Sequence, residues 1–317
     1  MRRPRTGVLL PTYSKHSTSQ MPSVVRTLAE LGAAVDIIVP PAPGRPVELS
    51  SVRVEHDLYI LHKISGLALS LAGALHGLGA TIVNPYPASA ALRDKIVATR
   101  TLQAAGVPVP ATYVATRTDA LLPLLEDGPI VVKPYQGAGG HHVRIVRSGA
   151  DLLDLDLGRS GRDPIFAQRY HEPQGGRDRK LYVIGDRCFG VMKVFPRRTA
   201  KEKQGEPFTV SDELRDIALR CGRAFGAQLY GVDIIESDGK PYVVDVGTTP
   251  GYKGVPDAPR LVAEYLYAAA ALDAVNSDYP RHCRATREIA KAHLDARRIL
   301  TTILDAALAP ATEALRA

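Results

Sequence analysis

The run PIVVKPYQGAGGHHVRIV, residues 129 to 146, decides the reading of this chain. Its first half is apolar and β-branched and ends on Lys133, which places an amine at the end of a strand. Gly137, Gly139 and Gly140 follow in "QGAGGHH". Residues without side chains permit unusual backbone angles and let amides approach anionic oxygens. A lysine at a strand end beside such a turn has an anion as its natural partner. Familiar phosphate loops do not fit: there is no GxxxxGK[ST], and "GAGGHH" lacks both the third glycine of a GxGxxG turn and the helix that should follow it.

About a hundred residues later, "GVDIIESDGKPYVVDVGTTPGYKGV" carries Asp233 and Asp245 on two strand-like runs joined by an Asp238-Gly239 hairpin signal. If these runs pair in register, two carboxylates face one cavity. Hard oxygen ligands of this kind hold Mg²⁺ bridging nucleotide phosphates. The two constellations together predict a magnesium-nucleotide site.

The surroundings suit an enzyme. A chain of 317 residues, 45% hydrophobic and 23% charged, has enough apolar material for two or three lobes. A net charge of +7 favours anionic partners. No nucleic-acid module is visible, and aromatics at 6% do not interleave with the basic residues, so nucleic acid is not expected. The three cysteines, Cys188, Cys221 and Cys283, form no CxxC pair and read as reduced thiols. No segment has the length of a membrane span and the N-terminal apolar run is too short for a signal peptide, so a soluble cytoplasmic protein without membrane partners is expected.

Periodicity predicts an α/β architecture. "TGVLLP", "AVDIIVP", "DLYILHK" and "ATIVNP" alternate with helical segments, as in a small parallel α/β lobe over 1–88. "SAALRDKIVATRTLQAAGVPVP" predicts one helix from about Ser89 to Ala105, leading into a second lobe over 89–163 built of strand, helix, strand, glycine turn and strand. From Pro164, "IFAQRY", "RKLYVIGD", "RCFGVMKVF", "LYGVDIIES" and "PYVVDVG" read as strands of a third lobe over 164–280, with one helix at "SDELRDIALRCGRAFG". Residues 281–317 read as a helical tail.

Six motifs in order, "RDKIVATRTLQAAGVPVPATYVA", "IVVKPYQGAGGHHV", "IFAQRYHEP", "RKLYVIGDRCFGVMK", "LYGVDIIE" and "YVVDVGTTPGYKGV", resemble the ATP-grasp superfamily and its RimK-like branch of carboxylate-amine ligases, over about residues 55 to 270. The resemblance implies the ATP-grasp fold, an N-terminal parallel α/β lobe followed by two α+β lobes clasping a nucleotide, with ATP and Mg²⁺ as cofactors and Mn²⁺ as a possible substitute. It implies phosphate contacts from Lys95 and Lys133. Residues 136 to 143, with Gln136, Gly137, Gly139, Gly140 and His141, would form a lid over the triphosphate. Gln168, Arg169 and Tyr170 of "AQRY" would lie along adenine, and Glu172 near the ribose. Asp233 and Asp245 would be the metal ligands, and Lys133, Lys180 and Arg197 the catalytic cations. The implied reaction joins a small-molecule carboxylate to an amine through an acyl phosphate, releasing ADP and phosphate. Relatives of this kind are often dimers or tetramers, so a homo-oligomer is a further expectation.

Two departures stand out. The family's usual Glu-x-Asn is here Asp245-Val246-Gly247, and Gly247 has no side-chain oxygen. Water, Thr248 or substrate completes the coordination, or one of two magnesium ions is weakly held, or activity is reduced. Lys180 stands where RimK-like ligases tend to carry arginine, the better fork for a carboxylate. "RKLYVIGD" and "DVGTTPGYKGV" also resemble the inositol-polyphosphate kinases of the same fold. "KVFPRRTAKEKQ" adds Lys193, Arg197, Arg198, Lys201 and Lys203. The alternative reaction is therefore phosphorylation of a polyol, with a phosphorylated acceptor.

Overall fold

The structure, a computed structural model, describes residues 3–10, 19–39, 46–62, 66–137, 142–155, 163–194, 199, 202, 204–277, 279–293 and 299–301. Chain 1–270 forms one compact unit and 271–317 a second.

The first sheet is parallel, in the order β2-β1-β3-β4, from Arg5–Leu9 (β1), Ala34–Ile38 (β2), Leu58–Leu61 (β3) and Ile82–Val83 (β4). Helices Met21–Glu30 (α1) and Gly66–Gly77 (α2) connect its strands. Val24 and Leu28 of α1 pack on one face with Val8 and Ile60. Ala68, Ala72 and Leu75 of α2 cover the other, with Leu9 and Tyr59. Burial on both faces is why these strands read as continuous apolar runs.

The predicted helix over 89–105 is in fact two, Tyr86–Arg93 (α3) and Lys95–Ala104 (α4). Asp94 breaks them: its backbone is extended, and its carboxylate accepts from the amides of Ile96 and Val97, an N-cap whose side chain replaces the missing helical acceptor. Lys95 thereby becomes the first residue of a helix.

The second sheet is antiparallel, in the order β5-β8-β6-β7, from Thr112–Ala115 (β5), Ile130–Pro134 (β6), Arg144–Val146 (β7) and Ile165–Arg169 (β8). Strand β8 thus pairs inside the second lobe, whereas the sequence suggested the third; its alternation, with Ile165 and Ala167 buried against Ile130 and Val132, fits the core of the smaller sheet. The expected helix after β5 is a 3₁₀ stretch, Thr118–Asp127, because Pro123 within it cannot donate to an α-helical ladder. A short helix, Gly149–Leu153 (α5), starts on a Ser148/Asp151 capping box.

The third sheet has the order β11-β10-β9-β12-β13: Arg177–Ile184 (β9), Arg187–Val194 (β10), Glu206–Phe208 (β11), Leu229–Ser237 (β12) and Lys240–Thr248 (β13). Asp238 and Gly239 both have positive φ, 51° and 71°, which explains the Asp-Gly signal of the β12–β13 hairpin. Helix Asp212–Phe225 (α6), capped by Ser211 and stopped by left-handed Gly226, packs Leu214, Ile217 and Cys221 against Leu181, Val232 and Val246. The opposite face joins the first sheet: Tyr182, Ile184 and Leu229 share a core with Val8, Val24 and Leu266 of helix Ala258–Ser277 (α7). The second unit contains helix Tyr279–His293 (α8). No described helix is long and apolar enough to cross a membrane.

Candidate active site

Lys133 stands on β6 with its side chain on the face opposite the small sheet's core. Val132 and its neighbour Ala167 point into that core, so Lys133 and its partner Phe166 point out together. Lys133 is 7% exposed, and its ammonium lies 5.4 Å from the Phe166 ring centroid and donates to the Val244 carbonyl of β13 at 2.9 Å. A β-bulge supplies that acceptor. Asp233 pairs with Asp245 but Ile234 with Val243, leaving Val244 as the extra residue.

The break at Asp94 brings the second lysine alongside. The Lys95 amide donates to the Tyr135 carbonyl at 2.8 Å, Asp94 bridges to Gln136, and the Lys95 ammonium donates to the Gly137 carbonyl at 2.7 Å. Gly137 has φ of 120°, which a side chain would oppose. The first turn of α4 is thus tied to Tyr135, Gln136 and Gly137 after β6.

Opposite them, Lys180 of β9, Asp233 of β12 and Asp245 of β13 are direct cross-strand neighbours. Lys180 donates to Asp233 Oδ1 at 2.6 Å. Burial drives the Asp245 carboxyl above the usual carboxylate range; Lys133 pulls it down, without cancelling the effect. Burial likewise holds the Lys133 ammonium below the ordinary lysine value despite Asp245. Burial also acts to lower Lys180, but the Asp233 carboxylate, by charge and hydrogen bond, together with Tyr182 and Asp245 outweighs it and the net displacement is upward. Lys95, Lys133 and Lys180 against Asp233 and Asp245 leave a surplus of positive charge, suited to a polyanion.

Two carboxylates with incoming phosphates fit Mg²⁺, which takes one or two protein carboxylates and retains waters. Among the described residues no three His, Cys, Asp or Glu side chains gather as a protein-only metal cage. A Cβ at Gly247 would meet nothing within 4 Å, so that position is open space. Thr249, by contrast, is buried, its hydroxyl donating to the Leu61 carbonyl at 3.0 Å.

The other candidates divide. Gln168 shares the outward face of Lys133, is buried, and donates to Thr112 Oγ1 at 3.2 Å. Arg169, one residue out of phase, turns its guanidinium to the carbonyls of Leu124 and Gly128 at 3.0 and 2.6 Å. Its side chain therefore braces the 3₁₀ stretch and is not presented to a nucleotide. Tyr170 lies under Arg147, 5.4 Å from guanidinium carbon to ring centroid, and Glu172 is exposed. Gly139, Gly140, His141 and Arg197 lie outside the described residues, as do Arg198, Lys201 and Lys203.

Three features escaped the sequence reading. Lys193, which charge alone groups with a basic run, is 5% exposed and donates to the Tyr182 hydroxyl at 2.9 Å. Its phase with buried Val191 on β10 was the available signal. His171 stacks on Tyr242 with centroids 3.9 Å apart, joining the segment after β8 to β13. Asn84, fully buried, donates to the Leu229 carbonyl at 2.7 Å and accepts from the amides of Gln228 and Leu229 at 2.8 Å each. Neither of the last two had a local motif.

The chain is similar to a probable alpha-L-glutamate ligase of Saccharophagus degradans, 27% identical over 210 residues, which are 61% of this chain and 69% of that one. It spans about two thirds of the length of the curated relatives it matches. Among solved structures, a RimK domain ATP-grasp protein from Sphaerobacter thermophilus superposes with a TM-score of 0.65 at 17% identity, covering 83% of this chain and 99% of that one. The ATP-grasp ligase PsnB, solved with minimal precursor, Mg and ADP, gives 0.64 at 20% identity, covering 84% and 97%. The RimK-like ATP-grasp domain family matches residues 92–261, more than half of the chain. Lys95, Lys133, Asp233 and Asp245 all fall within that stretch, and the chain belongs to the RimK-like ATP-grasp family.

Proposed function

We propose that this chain is an ATP- and Mg²⁺-dependent carboxylate-amine ligase. The observation that carries this reading is the convergence of Lys133 and Lys95, from one sheet and its flanking helix, with the Lys180-Asp233-Asp245 row of another. Lys95 and Lys133 bind the phosphates. Both ammonium groups are already held by carbonyl oxygens, so little reorganisation accompanies charge transfer to the acceptor. Asp233 and Asp245 supply the carboxylates for magnesium, which when bound neutralises charge on the β- and γ-phosphate oxygens. Lys180 faces the acceptor, steadying the carboxylate as it becomes an acyl phosphate. The amine then attacks that carbonyl and phosphate leaves, which balances to one amide, ADP and inorganic phosphate. Gln168 and the backbone beside Tyr170 border the base. The names of the curated relatives make L-glutamate the first amine to offer.

Phosphorus NMR with ATP and Mg²⁺ tests this, offering amino acids and peptides separately from inositol phosphates. Free phosphate together with a new amide mass is expected. Phosphate transferred stably to a hydroxyl, with no amide formed, would overturn the ligase and establish the kinase that shares this fold.

A further inference from the structure

The two aspartates have unequal freedom to hold metal. Asp233 gives Oδ1 to the Lys180 ammonium at 2.6 Å. That contact is supported from below, because Gly231 leaves room for the lysine stem: a Cβ there would stand 3.3 Å from Lys180 Cε and 3.3 Å from Pro250 Cγ. Asp245 neighbours Lys133, but that ammonium donates to the Val244 carbonyl. Two residues further along β13, on the side of the strand that Asp245 faces, stands Gly247, paired with Gly231. Its φ is not in the left-handed region and a Cβ would meet nothing within 4 Å, so the backbone there does not demand glycine. The position beside Asp245 simply lacks a donor.

Two divalent ions on one triphosphate need a shared carboxylate and a further ligand for each. Asp245 is placed to be shared. Asp233 has only Oδ2 left for one ion while Oδ1 keeps Lys180, and nothing at 247 serves the other. An ammonium already on Asp233 supplies positive charge where an ion would otherwise bring it. We infer that this chain holds one divalent ion with its nucleotide rather than two, between Asp245 and the second oxygen of Asp233, while the Lys180 ammonium stays on Asp233 Oδ1 as the second positive charge. The inference rests on the nucleotide reading above and fixes the metal count of that site.

Manganese is the probe. The full chain is titrated with Mn²⁺ in the presence of a non-hydrolysable ATP analogue, free manganese is counted by electron paramagnetic resonance, and bound analogue by equilibrium dialysis. One ion per bound analogue is expected for the wild type, and Asp233→Asn should bind that ion more weakly. Asp245→Asn should lose that ion. Lys180→Met combined with Gly247→Asn, its fold checked by thermal melting, should take two. Two ions of similar affinity in the wild type would overturn the inference and leave the nucleotide site standing, and a folded double variant that still takes one would overturn the explanation through Lys180 and Gly247. Absence of analogue binding would overturn the nucleotide reading and the inference with it.

Discussion

The two faces of the five-stranded sheet are made from the same strands and behave as different materials. On one face Leu181, Val232 and Val246 close against α6. On the other, one residue out of step, Lys180, Asp233 and Asp245 stand in a row. Because side chains alternate along a strand, a charged row can be backed by an apolar layer with no intervening structure. The packed face fixes the row's spacing, so the charged groups need not be held by one another. Substitutions on the two faces should therefore separate stability from activity.

The largest effect expected is from Lys133→Ala, which lies across from the charged row. ADP release should fall by about 10²–10³-fold, the scale for removing one preorganised charge-stabilising donor, with the melting transition retained. Loss of cooperative melting in this variant would break the distinction between the faces. On the packed side, Leu181 has no exposed surface, and Leu181→Ala should cost about 2–5 kcal/mol of stability by denaturant unfolding. Turnover per folded molecule should stay near wild type; a matching loss of turnover would show that the charged row follows its backing closely.

Alkaline pH sharpens the comparison from another side. Burial pushes the Cys221 thiol from 9.0 up to about 12 and the Cys188 thiol to about 11. The folded chain thus keeps protons that the unfolded chain releases, and stability present below pH 9 is lost as pH rises through these values. Cys221→Ala should flatten the alkaline limb of a melting-temperature profile. The smallest effect is at the edge of the packed face, where the Ser211 hydroxyl accepts from the Leu214 amide. Ser211→Ala should cost about 1 kcal/mol and leave nucleotide binding unchanged.

Much of the site was legible in the sequence because its residues sit on strands with strong period-two patterns. Lys133 ends an apolar run, and the Asp238-Gly239 turn fixes the register that sets Asp233 opposite Asp245. Misreadings came where a single side chain redirects the backbone or its own neighbours. Asp94 splits a run that looks continuously helical, and nothing in the apolar spacing announces it. Arg169 and Gln168 are adjacent in the chain but serve opposite faces, and only the pairing with β6 shows which is which. Lys193 was masked by the basic residues after it, since charge composition carries no information about phase. Asn84 and Thr249 act across the chain, on partners 145 and 188 residues away, where no local pattern reaches.

Those two long-range clamps separate the unit of kinship from the unit of folding. The stretch shared with the family begins at residue 92, after Leu61 and Asn84, and ends at 261, before Leu266. A fragment cut to that stretch would keep the lysines and aspartates and yet strip Tyr182, Ile184 and Leu229 of the part of their apolar covering that comes from the first sheet, α1 and Leu266, and Thr249 of its acceptor. The stretch that the family matches is therefore not autonomous as a body. The first and third sheets must find each other before either is finished, a closure over long stretches of chain that favours late, cooperative completion over assembly lobe by lobe.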